Sequence, residues 1–231
     1  MNSKSEPEFV PLPADKPIAV DEMRRRVTAF SQRMQQRRSV RQFSTRSVPR
    51  DVIEAALRAA NCAPSGANMQ PWHFVVVGDP EMKRKIRGVA EAQERAFYEK
   101  RASEEWLGAL SKIGTGSEKP FLENAPYLIV VFAQRYGLTE TGERVQHYYV
   151  NESVGIATGV LITALHQAGL GVLTYTPSPM RFLHDLLDRP ENERPFLVLV
   201  TGYPAEDAVA PTLERKALSE VVTFLTADSA D

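Results

Sequence analysis

The chain has 231 residues, of which 43% are hydrophobic and 25% charged, with a formal net charge of −1. That length can bury a substantial core in one domain or two, and the near-zero charge supplies no field to draw the chain to nucleic acid or anionic lipid. Cys62 is the only cysteine, which excludes an internal disulfide and fits a reducing, cytoplasmic setting.

Met1 to Glu8 is polar and acidic, unlike a secretory signal. Residues 1–20 hold four prolines and no apolar period, so they predict an extended arm ahead of a single domain over 21–231. Asp21 to Arg37 predicts a helix, with Met23, Val27, Phe30 and Met34 at helical spacing. Asp51 to Asn61 predicts a second helix, with Val52, Ala55, Ala56 and Ala59 on one face. Trp72 to Val77 is a continuous apolar run, which predicts a strand buried on both faces.

Pro80 to Tyr98 predicts a charged amphipathic helix with a thin stripe of Met82, Ile86, Val89 and Phe97. Lys100 to Lys119 is irregular and glycine-bearing, and reads as mobile. Pro126 to Phe132 predicts a second buried strand, and the apolar run from Ala125 to Ala133 is too short to span a bilayer. Asn151 to Ala168 predicts a long, nearly uncharged helix in a central position, closed by Gly169-Leu170-Gly171. A strand over Val172–Thr176, a short helix over Arg181–Leu187 and a strand over Phe196–Thr201 complete the order. Helices and apolar strands interleave without repeats, predicting an α+β layered domain.

His73, His147, His166 and His184 stand too far apart to suggest a metal site. No Gly-x-Gly-x-x-Gly follows a strand, so a Rossmann nicotinamide site is not supported. Two segments carry chemistry instead. Arg37-Arg38-Ser39-Val40-Arg41 places three guanidinium groups and a hydroxyl within five residues, a set that suits a phosphate monoester. Ala63-Pro64-Ser65-Gly66-Ala67-Asn68-Met69-Gln70-Pro71-Trp72 is a small-residue turn between a helix and a strand, where backbone N–H groups can approach a planar ligand. Each alone also describes a solvated basic run or an ordinary loop. Their order and separation, with a helix between them, point to a phosphorylated aromatic cofactor.

These segments, with Gln70-Pro71-Trp72 and the Ala168–Gly171 helix end, resemble the nitroreductase-like flavoproteins from about Gln36 to about Leu218. The resemblance implies an α+β nitroreductase-like fold that binds FMN in an intertwined homodimer. Val75 to Pro80, His147-Tyr148-Tyr149, Asn151 to Val154 and Gly202-Tyr203-Pro204 are similar to the iodotyrosine deiodinase branch. So is the set Glu94, Tyr98 and Lys119, which in that branch lies in a lid over the amino-acid end of the substrate. On spacing alone, Glu94 and Tyr98 share one helix face, as they would on a solvated surface helix. An anion, a cation and a neutral donor are also what a zwitterionic amino acid requires.

The resemblance further assigns the FMN phosphate and ribityl chain to Arg37, Arg38, Ser39, Val40 and Arg41. It assigns the flavin face to Pro64, Ser65 and Gly66, and a phenolate-binding N–H to Ala67. Thr174, Tyr175 and Thr176 would contact the flavin, with Thr176 donating to its N5 and so favouring stepwise one-electron transfer. Arg215 matches a late flavin-contacting arginine. The expected reaction is reductive dehalogenation of a halotyrosine or related halophenol, with a lid over about 90–120 and electrons from NAD(P)H or a reductase/ferredoxin. A nitroreductase or quinone reductase of the same fold is the alternative, and a non-catalytic flavin-binding protein the second.

Overall fold

The structure is a computed structural model that describes residues 9–12, 17–100, 103, 105, 106, 108 and 113–225. Most of the predicted arm, and residues 101, 102, 104, 107 and 109–112 of the predicted lid, lie outside the described residues. The chain forms two units, Met1–Arg37 and Arg38–Asp231.

The first unit holds helix α1, Val20–Gln35, with Asp21 and Glu22 in its first turn and Arg33 in its last, each complementing the helix dipole. Glu22 pairs with Arg25 and Arg26, both at 2.6 Å. The helix buries none of its residues, and its apolar positions Met23, Val27 and Phe30 are exposed.

The second unit is a four-stranded antiparallel sheet in the order β1-β2-β6-β5. Its strands are β1 (Trp72–Val77), β2 (Tyr127–Gln134), β5 (Gly171–Tyr175) and β6 (Glu193–Gly202). A separate hairpin, β3 (Tyr136–Leu138) with β4 (Arg144–Gln146), has no counterpart among the predicted elements. The helices are α2 (Arg50–Asn61), α3 (Pro80–Lys100), α4 (Phe121–Asn124), α5 (Val150–Gln167) and α6 (Arg181–Leu186).

The core is built on β2, where Leu128 to Ala133 are all fully buried. Period-two alternation divides them between the faces. Leu128, Val130 and Phe132 join Ile86, Leu122 and Leu183 on one side. Ile129 joins Ile53, Leu161 and Leu165 on the other. The sheet therefore lies between an α2/α5 layer and an α3/α4/α6 layer.

Three expectations need correction. β1 is an edge strand, not one buried on both faces: Val76 is exposed although the run is apolar but for His73. The buried face of α2 is Ile53, Ala56 and Ala60, while Ala55 faces solvent. α5 buries one face only, and Ile156 on its other face is exposed in the single chain. Its end is as predicted: Gly169 takes φ 82°, and the Leu170 N–H reaches Leu165 O at 3.0 Å, the six-to-one bond of a Schellman cap.

Gly202 is where β6 passes closest to the entry of β2. A Cβ there would collide with Cδ of Pro126 and lie 2.8 Å from its Cγ. The rigid ring cannot swing aside, so Gly202→Ala is expected to cost about 1–3 kcal/mol, as overpacking does. Thermal unfolding should show a midpoint several degrees lower, about 2–4 °C per kcal/mol at this size.

Candidate functional site

Helix α3 carries a polar stripe alongside its apolar one: Lys83, Arg87, Glu91, Glu94 and Tyr98 recur at three- and four-residue spacing and so share a face. The first three dock the segment leading into β2. Buried Lys83 donates to Glu123 O at 3.0 Å and Ala125 O at 2.7 Å. Arg87 bonds the Glu123 carboxylate at 3.1 Å and Glu91 at 2.8 Å, and Glu91 accepts the Lys119 backbone N–H at 2.7 Å. Burial works to raise the Glu91 carboxyl, but the Lys119 N–H and the Arg87 guanidinium outweigh it and hold the group below its ordinary range. The sequence reading missed Lys83, Arg87 and Glu91 as positioning groups.

This docking delivers Lys119 to Glu94. The two side chains pair at 3.4 Å and are only 4% and 15% exposed. Lys119 Nζ also donates to Thr115 Oγ1 at 3.2 Å and Gly116 O at 2.5 Å, while the Tyr98 hydroxyl donates to Thr115 O at 3.3 Å. Burial depresses the Lys119 ammonium; Glu94 opposes the shift and the nearby Arg41 charge adds to it. Burial and the Glu94 charge both raise the Tyr98 phenol.

Glu94, Tyr98 and Lys119 line a cavity of about 250 Å³ together with Phe97, Trp106 and Thr115 from this region, and with Thr174, Tyr175, Thr176 and Ser178 from the end of β5. Groups far apart in the sequence thus face one space. At the end of β5 Thr174 is exposed and Tyr175 buried, and Thr176 just beyond the strand is exposed again. Neither threonine hydroxyl has a hydrogen-bond partner among the described residues.

The segment after Arg37, which closes the first unit, lies along β5: Ser39 bridges Val172 in parallel, and the Val40 N–H donates to Val172 O at 3.2 Å. Arg38 donates to Pro211 O. Arg41 faces a second cavity, of about 500 Å³, with Gln42, Gly114, Thr115, Gly116, Val209 and Pro211. Thr115 lines both cavities. Burial lowers the Arg41 pKa, yet a guanidinium remains charged at neutral pH. Arg41 has no hydrogen bond or ion pair among the described residues, which leaves a partly buried cation facing open space.

The Pro64–Ala67 turn is elsewhere. Ala67, Asn68 and Gln70 take φ of 49°, 54° and 47°, conformations that cost non-glycine residues energy and often mark functional backbone. Gly66 lies so close to the start of α5 that a Cβ would meet Tyr148 O at 2.9 Å. Four neighbouring donors are occupied: Gly66 N–H by Ser153 Oγ at 3.3 Å, Asn68 N–H by Ser65 O at 3.1 Å, Met69 N–H by Gly66 O at 3.0 Å and Gln70 N–H by Ser65 Oγ at 2.9 Å. The exposed Ala67 N–H has no partner among the described residues. No residue of this turn lines either cavity, and neither does Arg215, which is exposed in the C-terminal segment.

The profile of the nitroreductase family matches residues 34–203. The chain belongs to the nitroreductase family. It is 53% identical to an iodotyrosine deiodinase of Haliscomenobacter hydrossis over 92% of this chain and 96% of that protein. Identity to iodotyrosine deiodinase 1 of Mus musculus is 45%, over 87% of this chain and 71% of the mouse protein. Among solved structures, a crystal structure of oxidized iodotyrosine deiodinase bound to FMN and 3-iodo-L-tyrosine aligns with a TM-score of 0.72 and 34% identity. That alignment covers 84% of this chain and all of the other. The nitroreductase-family fold expected from the sequence is therefore present. No helix among the described residues is long and apolar enough to cross a membrane.

Proposed function

We propose that this chain is an FMN-dependent reductive dehalogenase that converts a halotyrosine, iodotyrosine first, to tyrosine and halide. The observation that carries this is the shared cavity: the Glu94–Lys119 pair and Tyr98 face the same space as Thr174 and Thr176. The identity to named iodotyrosine deiodinases supports it.

The open groups fit the cofactor. An unpaired, partly buried Arg41 and neighbouring Arg38 would hold the phosphate, with Arg37 and Ser39 beside them in sequence. The hydroxyls of Thr174 and Thr176 would meet the flavin edge, and Pro64, Ser65 and Gly66 its face. When bound, FMN supplies the two electrons that the reaction consumes.

The chain's own groups handle the substrate. Glu94 takes the α-ammonium, Lys119 the α-carboxylate, and Tyr98 donates between them. The empty pair is neutral, so a zwitterion exchanges partners without leaving a net charge in the cavity. A ligand bearing only an amine or only a carboxylate strands one member of the pair. The free Ala67 N–H would receive the phenolate oxygen. A tyrosine phenol ionises near a pKa of about 10, and an ortho halogen lowers that by withdrawing electrons, so a phenolate site favours halogenated substrate. The carbon–halogen bond breaks, a carbon–hydrogen bond forms with one proton and two electrons, and halide leaves.

Because the Ala67 turn and the cavity do not meet within one chain, the reading includes a homodimer whose sites combine residues of both subunits. Exposed apolar side chains on α1, Ile156 on α5, and Leu213, Leu218, Val221 and Phe224 toward the C-terminus supply surface for it. Light scattering should give twice the 25.8 kDa chain mass; a monomer would overturn this part. The electrons come from an external donor of the NAD(P)H or reductase/ferredoxin class.

The deciding experiment supplies reduced, FMN-loaded protein with iodotyrosine without air and measures iodide. Iodide release in proportion to tyrosine formed is expected. Thr176→Ala should keep FMN bound but slow release about tenfold, the worth of one hydrogen bond of about 1.5 kcal/mol, and Thr176→Ser should restore it. Rapid nitroaromatic reduction with no iodide would instead favour a nitroreductase.

A further inference from the structure

Every member of the zwitterion clamp except Glu94 is fixed by backbone: Lys119 through its own N–H, Tyr98 through Thr115 O. The Glu94 carboxylate, on a flexible side chain, needs another anchor. It is found on β5. Tyr175 lines the same cavity as its neighbours Thr174 and Thr176, but where they are exposed it is only 8% exposed. A phenol so buried requires a partner for its hydroxyl, and here it donates to Glu94 Oε1 at 3.2 Å.

The other carboxylate oxygen, Oε2, faces Lys119. Lys119 Nζ lies 5.7 Å from the centroid of the Tyr175 ring, and Phe121 packs edge-on to it at 5.6 Å. Both charges of the clamp therefore meet one side chain, Glu94 at its hydroxyl and Lys119 over its ring. Burial, then Glu94, raises the Tyr175 phenol far above its ordinary value, so the hydroxyl remains a donor at any pH the protein tolerates.

We infer that Tyr175 is a positioning residue: its hydroxyl sets the Glu94 carboxylate for the substrate ammonium, and so determines preference for amino-acid over plain halophenol ligands. The inference rests on the dehalogenase reading for the identity of the ligand, but the placement of Glu94 does not.

Tyr175→Phe removes the donor while keeping the ring against Phe121 and Lys119. The test measures binding of iodotyrosine and of 2-iodophenol to FMN-loaded protein by calorimetry, and amide exchange along α3 without ligand. In Tyr175→Phe, iodotyrosine affinity should fall about tenfold, the scale of a hydrogen bond to a charged group, with 2-iodophenol affinity unchanged. Exchange in the last turns of α3 should quicken. In a Glu94→Gln background the same change should have little further effect on iodotyrosine, because the two residues act as a unit.

Equal weakening of both ligands, or no weakening with unchanged exchange, would overturn the inference. Wild-type protein that binds iodotyrosine no better than 2-iodophenol would sink the substrate reading instead. The exchange data would then still decide whether Tyr175 holds Glu94.

Discussion

Lys119→Met is expected to abolish the preference for an amino-acid ligand. The substitution keeps most of the side chain's volume and removes its charge. Glu94, largely buried beside it, then loses its ion-pair partner, and the substrate carboxylate enters a cavity with no cation to meet it. Truncating one partner of a buried charge pair at a binding site typically costs about 2–5 kcal/mol of affinity, so binding of iodotyrosine should weaken by about two orders of magnitude. A halophenol carries no zwitterion and makes no use of Lys119. Its affinity should stay within about twofold, the usual tolerance for independent sites. Calorimetric titration of both ligands into FMN-loaded protein measures the difference. A parallel loss for both would mean that Lys119 supports the cavity without reading the ligand.

The second large effect is expected for Arg38→Ala combined with Arg41→Ala. Arg41 is a partly buried cation with no counter-ion among the described residues, beside a cavity of about 500 Å³. Arg38 lies three residues earlier on the same segment held along β5. If both grip a phosphate, each charge-assisted contact is worth about 1.5–3 kcal/mol. Their joint loss should weaken FMN binding at least a hundredfold. An unpaired, partly buried guanidinium is itself unfavourable, so removing Arg41 should not destabilise the ligand-free protein. The double variant should lose no more than the Arg38 bond to Pro211 O contributes, about 1 kcal/mol. Equilibrium dialysis against FMN and a thermal melt of the apoprotein together check this. Loss of flavin with an equal loss of apoprotein stability would point to a folding defect.

Much of this arrangement was legible in the sequence, and the exceptions have physical causes. β2 was readable because an uninterrupted apolar run is what a central strand between two helical layers must be. β1 reads almost the same way, interrupted only by His73, yet it lies at the sheet edge. Hydrophobicity reports burial only on average, and pairing order is a non-local property. The predicted face of α2 was off by one position for a related reason: its apolar stripe of small residues is wide, and tertiary packing centres it on Ile53, Ala56 and Ala60.

The clamp residues were found by resemblance, since spacing alone could not separate them from a solvated helix face. A local signal did exist. Lys83, Arg87, Glu91, Glu94 and Tyr98 form a polar stripe that runs the length of α3, and a buried lysine at its start shows that the stripe faces protein and not water. Tyr175 was read only as a flavin contact, and its bond to Glu94 was not legible because the two residues are 81 apart in the chain. The β3/β4 hairpin was missed since strands of three residues are too short to show a period.

The docking of Lys119 has a mechanical consequence. Its N–H is held by Glu91, and the segment that follows is tied twice to Lys83 before entering the most deeply buried strand of the sheet. The ammonium is thus referenced to the rigid centre of the protein, as the fixed jaw of a caliper is to its beam. Whatever closes over this site closes against that jaw. The span between the two ends of an acceptable ligand is then a length built into the fold.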